Sequence, residues 1–285
     1  MEKLTVPPTG DPGQADRRRN AWRTRYALLG GVSLIAALGL IVWRFWDGRG
    51  DVLKPDGGPV VTVMDFGQSF PLDPLPSGWK HQKFWTRSPM TMAFTVKDGV
   101  PSMRFETHDS ASMLFRHVDI DLAAYPILAW RWYIELPIRS PLDEHAREGD
   151  DHPARLFLRF LTDRGVKRAM EVIWGNRLKA GEFKYIGSFP HFVADGGDGR
   201  VGRWLDEKID LARIYAEIWK DAAPAHVFDM AVFCDSDDTH TASTGYFTYV
   251  RLEKASYTNL TCASIAARPR ECQYRPRSGL SDLPC

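Results

Sequence analysis

Two short acidic clusters carry the side chains best suited to chemistry in this 285-residue chain. The first is Asp150-Asp151-His152 and the second is Asp235-Ser236-Asp237-Asp238. Residues 154–161 follow the first cluster with strand-like alternation, and residues 226–234 precede the second in the same way. If these two strands are antiparallel neighbours, the start of one lies beside the end of the other, and the carboxylates share one rim. The candidate metal ligands are therefore Asp150, Asp151, Asp235, Asp237 and Asp238.

Carboxylates crowded at a rim are compatible with three interpretations. Ca²⁺ takes about six to eight oxygen ligands at about 2.3–2.6 Å, so the clusters are candidates for a structural calcium ion. Two carboxylates held about 5–9.5 Å apart across a cleft hydrolyse glycosidic bonds, with Asp150 or Asp151 acting opposite Asp237 or Asp238. Aspartates also populate turns and strand ends as solvated residues, because their side chains bond nearby backbone amides. The sequence leaves these alternatives open.

A second candidate site mixes arginines with aromatic rings on the outward positions of three predicted strands. In residues 128–136 apolar side chains alternate with Arg131, Tyr133 and Glu135, and residues 154–161 alternate similarly. We predict one sheet face that carries Arg104, Glu106, Arg131, Tyr133, Glu135, Arg155, Phe157 and Arg159. Guanidinium groups and rings bind hydroxyl-rich or anionic glycans by hydrogen bonding and stacking. The alternative is a face covered by cross-strand ion pairs or by a loop.

The ten tryptophans divide between core and surface. Trp130 and Trp132 share the apolar side of their strand and are predicted to lie in the core. Trp85, Trp174 and Trp204 are better placed to be exposed, where an indole ring can stack on a sugar.

Other function classes find no support in composition or motifs. Lys plus Arg total 37 against 36 Asp plus Glu, and the formal net charge of +1 gives no electrostatic case for nucleic acid as a partner. The sequence has no Gly-rich phosphate loop, no Gly-x-Ser-x-Gly elbow and no His-Glu-x-x-His pair. We therefore assign no catalytic residue and no cofactor other than the candidate Ca²⁺.

Short β-like runs separated by turn residues fill most of the chain after residue 59, which predicts a sandwich or barrel. Strands are predicted at residues 60–64, 92–96, 102–107, 128–136, 154–161, 169–174, 183–186, 226–234 and 245–253. The Asp98-Gly99 pair predicts a hairpin turn between the second and third of these. One helix is expected through about residue 220, with Asp210 as its N-cap and apolar residues at helical spacing.

Residues 26–43 form an uninterrupted run of apolar and small side chains with an arginine on each side. These 18 residues make roughly 27 Å of helix, close to a hydrocarbon core about 30 Å thick. Arginines concentrate before the run, and this bias places the N-terminus in the cytoplasm and the rest of the chain in the periplasm. We predict a single-pass protein of the bacterial inner membrane. A cleaved secretory signal is the rival, but it needs a shorter apolar core and a small-x-small cleavage site.

The predicted organisation is a basic cytoplasmic tail (1–25), a transmembrane anchor (26–46), a linker (47–58), a β-sandwich domain (59–256) and a cysteine-containing tail (257–285). Three of the four cysteines lie in that tail, which suits an oxidising compartment. Cys262 and Cys272 are the favoured disulfide candidate, although four cysteines permit three pairings.

Several motifs occur together in a fixed order: Asp65-Phe66, Gly78-Trp79, Pro126-Ile127-Leu128-Ala129-Trp130-Arg131-Trp132, Gly149-Asp150-Asp151, Trp174-Gly175-Asn176 and Asp235-Ser236-Asp237-Asp238-Thr239. Together they resemble the bacterial domain of unknown function family 3047 over residues 61–252. The resemblance implies a jelly-roll-type β-sandwich similar to carbohydrate-binding and galactose-binding-like modules. It brings no established activity.

These observations predict a mainly β protein with one or two short helices after a membrane anchor. The expected function is the binding of a carbohydrate or cell-envelope polymer without catalysis. An envelope glycan hydrolase using paired aspartates, or a structural component of a membrane complex, are the alternatives.

Overall fold

A computed structural model describes residues 51–220 and 224–255 of the chain. Within these residues thirteen strands form two sheets, which confirms the predicted two-sheet, mainly β sandwich. The strands are β1 (Val60–Asp65), β2 (Trp79–Lys83), β3 (Thr91–Lys97), β4 (Val100–His108), β5 (Ser112–Asp121), β6 (Ile127–Leu136), β7 (Arg155–Thr162), β8 (Lys167–Gly175), β9 (Phe183–Ile186), β10 (Phe189–Gly196), β11 (Trp204–Asp210), β12 (Ala225–Phe233) and β13 (Ala242–Glu253).

The first sheet has the order β11-β6-β13-β4-β3, and β1 pairs with the far half of β13. The second sheet has the order β2-β5-β12-β7-β8-β10-β9. Strands β7 and β12 are antiparallel neighbours, with Arg155 opposite Phe233, so the condition for the two acidic clusters to share a rim is met. Strands β8 and β10 pair in parallel, and the other pairings are antiparallel.

The core lies between the two sheets and follows from period-two alternation. In β6 the side chains of Leu128, Trp130, Trp132 and Ile134 are fully buried, as their spacing predicts. Trp132 of the first sheet meets Trp174 of the second with ring centroids 5.8 Å apart. This edge-to-face contact joins the sheets at the centre of the sandwich.

The predicted turn and helix are both confirmed. Asp98 and Gly99 take positive φ values of 52° and 78°, which a two-residue hairpin turn between β3 and β4 requires. Helix α1 spans Leu211–Trp219, and the Asp210 carboxylate accepts the backbone N–H of Arg213 at 2.9 Å. This N-cap satisfies one of the free amides of the first turn.

Most of the loops that bear candidate residues gather at one end of the sandwich. Strands β6, β8, β10 and β12 end there, whereas β7, β11 and β13 begin there. We call this end the rim; it comprises residues 84–90, 109–111, 137–154, 176–182, 197–203 and 234–241. In several of these loops the chain crosses from one sheet to the other. Side chains from distant parts of the sequence therefore meet at the rim.

The predicted tail, anchor and disulfide candidate (1–25, 26–46, Cys262 and Cys272) lie outside the described residues. No helix in the described part of the chain combines the length and apolarity needed to cross a bilayer. Residues 51–58, expected as linker, contact the second sheet: the Leu53 N–H donates to the His117 carbonyl at 3.0 Å. Cys234 is a buried free thiol whose pKa is raised by burial.

Candidate functional site

The eight residues predicted to share one sheet face divide between the two sheets. Arg104 and Glu106 lie on β4, and Arg131, Tyr133 and Glu135 on β6, all in the first sheet. Arg155, Phe157 and Arg159 lie on β7 in the second sheet. The prediction of a single face is therefore wrong, because alternation shows which side of a strand a residue occupies but not which sheet the strand joins.

The five residues of the first sheet belong to a continuous outer surface with aromatic rings that the sequence analysis had not assigned to it. Register places Trp204, Tyr133, Tyr246 and Arg104 in one row across β11, β6, β13 and β4. The next row contains Asp206, Arg131 and Tyr249. We call this surface the polar aromatic face; it comprises Lys97, Arg104, Glu106, Arg131, Tyr133, Glu135, Trp204, Asp206, Tyr246 and Tyr249.

The rings of the polar aromatic face touch one another and lie under cationic side chains. The Tyr133 centroid is 5.4 Å from that of Trp204 and 5.7 Å from that of Tyr246. The Arg131 guanidinium lies 5.4 Å from the Trp204 ring, and the Lys97 ammonium lies 4.8 Å from the Tyr133 ring. These cation–π contacts hold the cations over the rings at the surface.

Hydrogen bonds fix the polar groups between these rings. The Tyr249 hydroxyl donates to Asp206 at 3.0 Å, and the Tyr246 hydroxyl donates to Glu135. The hydrogen bond from Tyr246, with the nearby Lys97, lowers the pKa of Glu135. Burial, with the adjacent Asp206 carboxylate, raises the pKa of Tyr249 to about 12. Glu135 thus stays ionised and Tyr249 stays a neutral donor at neutral pH.

Much of this polar array faces water. The side chains of Arg131, Glu135 and Asp206 are 33%, 44% and 64% exposed. Trp204 and Tyr249 are half-buried, whereas Tyr133 and Tyr246 are buried, with the Lys97 ammonium over both rings. The face therefore presents donors, acceptors and ring edges together on a rigid sheet, an arrangement that can bind hydroxyl-rich molecules.

Arg155 of the second sheet is instead the centre of a buried ionic cluster. Its guanidinium lies 3.0 Å from Asp150, 2.8 Å from Glu171 and 3.1 Å from Asp235, and its side chain is only 4% exposed. Lys184 is also buried and bonds the Asp150 carboxylate. We call these five residues the buried ionic cluster. The cross-strand ion pairs that the sequence left as an alternative are what the structure shows for Arg155.

Burial and charge perturb the pKa values throughout the buried ionic cluster. Burial alone would raise the pKa of Asp150, but Arg155 and the surrounding histidines and lysine lower it well below its ordinary range. Burial raises the pKa of Glu171 to about 7 despite Arg155. Burial also lowers the pKa of Lys184. The cluster is nearly closed to solvent, and its opposite charges stabilise one another.

Arg159 and Phe157 have equally local partners. The Arg159 guanidinium bonds Asp229 directly across the β7–β12 pair, and Asp229 also bonds His117. Phe157 packs against the ring of Phe115 at 5.8 Å and that of Phe189 at 6.0 Å. These side chains fill the outer surface of the second sheet.

The two acidic clusters do come together at the rim. Asp151, Asp235 and Asp237 each offer a carboxylate oxygen within 4.8 Å of the others. Asp150 turns away into the buried ionic cluster, and Asp238 lies outside the group of three. We call Asp151, Asp235 and Asp237 the acidic triad. Their oxygens are of the kind that a Ca²⁺ ion binds.

Protein groups already bond part of the acidic triad. Asp151 accepts the backbone N–H and the hydroxyl of Thr239, both at 2.6 Å, and Arg87 donates to Asp237 at 2.5 Å. Burial raises the pKa of Asp151 and, more strongly, that of Asp235. Burial and the neighbouring carboxylates raise the pKa of Asp238 to about 6. Asp235 also pairs with Arg155 at 3.1 Å, so the acidic triad shares one carboxylate with the buried ionic cluster.

The tryptophans follow their predicted places in part. Trp130 and Trp132 are in the core, and Trp85 projects from the rim with 97% exposure. Trp204 is half-buried on the polar aromatic face. The expected exposure of Trp174 is wrong, because its ring is fully buried against Trp132.

Comparison with known proteins identifies a family. Residues 77–251 match the family described as "Protein of unknown function (DUF3047)". No curated protein matches the sequence.

Several solved structures are similar to this chain. A family 30 carbohydrate-binding module of a cellulosomal cellulase from Clostridium thermocellum aligns with a TM-score of 0.37 and 9% identity, covering 69% of this chain and 98% of the module. A second structure of a family 30 module aligns with a TM-score of 0.33 and 8% identity, covering 77% and 93%. The enzymatically active domain of a tailspike protein from bacteriophage CBA120 gives 0.32 and 10%, covering 62% and 19%. At these TM-scores the likeness carries no argument about a ligand.

Proposed function

The chain belongs to the DUF3047 family, and we propose that it binds a carbohydrate or cell-envelope polymer, without turnover, on the polar aromatic face. The observation that carries this proposal is the cross-strand row of Trp204, Tyr133, Tyr246 and Arg104 beside the partly exposed Arg131 and Asp206. At this surface the half-buried Trp204 ring, the Arg131 guanidinium and the Asp206 carboxylate are within reach of a ligand in solvent.

Sugar chemistry matches this arrangement. A ring hydroxyl both donates and accepts, so it can bridge the Arg131 guanidinium and the Asp206 carboxylate, which lie 3.7 Å apart. The apolar C–H face of a sugar ring packs on an aromatic ring such as Trp204. Because the sheet spaces neighbouring strands about 4.8 Å apart, successive sugar units can meet successive strands along one row.

The location of this activity rests on the sequence. We propose that residues 26–46 anchor the protein in the bacterial inner membrane with the N-terminus in the cytoplasm. The sandwich would then lie in the periplasm, where envelope glycans are accessible. More arginines lie before the apolar run than after it, and this bias supports the orientation: Arg17, Arg18, Arg19, Arg23 and Arg25 against Arg44 and Arg49.

Binding measurements on the full chain test the proposal. The protein would be held in a zwitterionic detergent without a sugar head group and titrated with peptidoglycan fragments, O-polysaccharide and soluble neutral glucans. Arg131→Ala and Trp204→Ala should each raise the dissociation constant of the glycan about tenfold or more, equivalent to about 1.4 kcal/mol. Arg164→Ala, an exposed arginine in the turn between β7 and β8, is the matched control. Unchanged affinity in both face variants would refute the assignment.

A second candidate function is cation binding by the acidic triad, favoured by three carboxylate oxygens within 4.8 Å. Three carboxylate oxygens gathered around one point match the crowded oxygen ligands of a Ca²⁺ ion better than a catalytic pair that faces across a cleft. Ca²⁺ at about 100 times its Kd should stabilise the fold by roughly 2.7 kcal/mol. Asp237→Asn should abolish that gain. Equal melting temperatures in EDTA and in CaCl₂ would exclude the ion.

A further inference from the structure

A pocket of about 370 Å³ opens at the rim where β6 ends and β11 begins. Arg139 lines it three residues after β6, and Asp198 lines it six residues before β11. The Gly202 N–H donates to the Ile134 carbonyl at 2.9 Å, so the segment that leads into β11 is hydrogen-bonded to the end of β6. The same strand pair carries Tyr133 and Trp204 opposite each other near this end. The pocket therefore lies close to one end of the polar aromatic face.

The charged side chains of the pocket balance one another. Arg139 and Asp198 form an ion pair at 3.2 Å, and both side chains are about 70% exposed. Arg177 lies 3.5 Å from the buried Glu144 carboxylate. The four formal charges cancel. Such a lining disfavours a strongly charged ligand, because either sign would lose solvation without a matching countercharge.

Buried hydrogen bonds hold the pocket wall in place. The Glu144 carboxylate accepts the backbone N–H groups of Asn176 at 2.9 Å and Arg177 at 2.7 Å. The Lys184 ammonium donates to the Glu144 carbonyl at 2.8 Å. Asn176 donates its amide N–H to the Asp151 carbonyl at 2.9 Å, and its Oδ1 is buried with no hydrogen-bond donor among the described residues. The wall is therefore preorganised and contains one acceptor that still needs a donor.

We propose that this pocket binds the terminal one or two rings of a neutral sugar chain. Its volume is within the range of small-molecule sites, and its paired donors and acceptors suit hydroxyl groups, each of which both donates and accepts. Ile138 and Leu142 supply an apolar wall for ring C–H groups. None of the described lining residues is aromatic, so this site encloses a sugar rather than stacking on it. The proposal rests on the proposed function and deepens it, because the protein would then recognise the ends of glycan chains.

Short and long probes distinguish the pocket from the face. Saturation-transfer NMR and calorimetry on the full chain in the same detergent would use maltose, cellobiose and N,N′-diacetylchitobiose as short probes. The polysaccharides named above serve as long probes. Arg139→Ala and Asp198→Ala remove an exposed ion pair and should leave the fold intact. Each substitution should lower the affinity for the bound disaccharide at least tenfold. Trp204→Ala should change that affinity less than twofold.

The outcomes separate this inference from the proposed function. Disaccharide binding that depends on Asp198 and not on Trp204 supports the pocket. Disaccharide binding that depends on Trp204 alone overturns the pocket and keeps the face. Polysaccharide binding without any disaccharide binding has the same consequence. If no probe binds, both the pocket and the face are refuted.

Discussion

Replacing Arg155 by alanine should destabilise the protein far more than replacing Arg131, although both arginines alternate with core residues in their strands. Arg155→Ala removes the countercharge of Asp150, Glu171 and Asp235, which lie 2.8–3.1 Å from its nitrogens. All of these side chains are nearly closed to water. Breaking a buried ion pair from one side costs about 3–5 kcal/mol, a large part of the about 5–15 kcal/mol that holds a domain folded.

Arg131→Ala removes a much weaker set of contacts. Its single ion pair with Asp206 spans 3.7 Å, and the two side chains are 33% and 64% exposed. An exposed pair contributes about 0–1 kcal/mol, and the contact with the Trp204 ring adds about 0.5–1 kcal/mol. We therefore expect the free energy of unfolding to fall by at most about 2 kcal/mol in this variant and by at least about 3 kcal/mol in Arg155→Ala.

Urea denaturation of the full chain, followed by tryptophan fluorescence, measures both losses. Trp130, Trp132 and Trp174 are fully buried, so their emission reports unfolding of the core. Arg155 holds the pKa of Asp150 low, and that stabilisation is present above the ordinary carboxyl pKa and lost as the pH falls. The difference between Arg155→Ala and the unchanged protein should therefore begin to shrink only as the pH falls below about 4. Equal losses in the two variants, or a pH-independent difference, would refute the assignment of Arg155 to a buried cluster.

Three further predictions concern the rim and its neighbours. Burial raises the pKa values of Asp151 and Asp235, and a carboxylate must be ionised to bind a cation. The melting-temperature gain from Ca²⁺ should therefore be larger at about pH 7.5 than at about pH 5, and equal gains would argue against the acidic triad. Gly245→Ala would place a Cβ 2.4 Å from the Pro153 carbonyl oxygen and should lower the free energy of unfolding by about 1–3 kcal/mol. Gly199→Ala has open space around it and should leave that free energy unchanged. Equal urea midpoints for the two variants would contradict this. Cys234 is buried and its pKa is raised, so iodoacetamide should not alkylate it in the folded protein. Peptide mapping should find it alkylated only after unfolding in urea. Alkylation without urea would show that the site opens.

Sequence patterns predicted the features that depend on local chemistry. The alternation in β6 identifies its core tryptophans, and Asp210 with the apolar spacing after it identifies α1. The convergence of the acidic clusters followed from placing one cluster before a strand and the other after its antiparallel neighbour. These inferences need only the side-chain period and the direction of one strand pair.

The features that sequence could not supply depend on long-range pairing. Alternation does not reveal that β4 and β6 share a sheet while β7 belongs to the other, and this separates Arg131 from Arg155. Strand β5 went unrecognised because polar residues such as His117 lie along it, and His117 is nevertheless buried and hydrogen-bonded to Asp229. In β11 the outward Trp204, Asp206 and Lys208 alternate with Leu205 and Ile209 on its other side, with Glu207 interrupting the apolar set. That alternation is a signal that could have revealed β11 as a strand.

The most direct test of glycan binding on the polar aromatic face is ¹⁹F NMR of the full chain labelled with 5-fluorotryptophan. Trp204→Phe assigns the resonance of the face, and Trp85→Phe assigns that of the exposed ring at the rim. During titration with the polysaccharide that binds, the Trp204 resonance should shift progressively, while the resonances of the core tryptophans should stay in place. A titration that saturates with the Trp204 resonance unmoved would contradict the account.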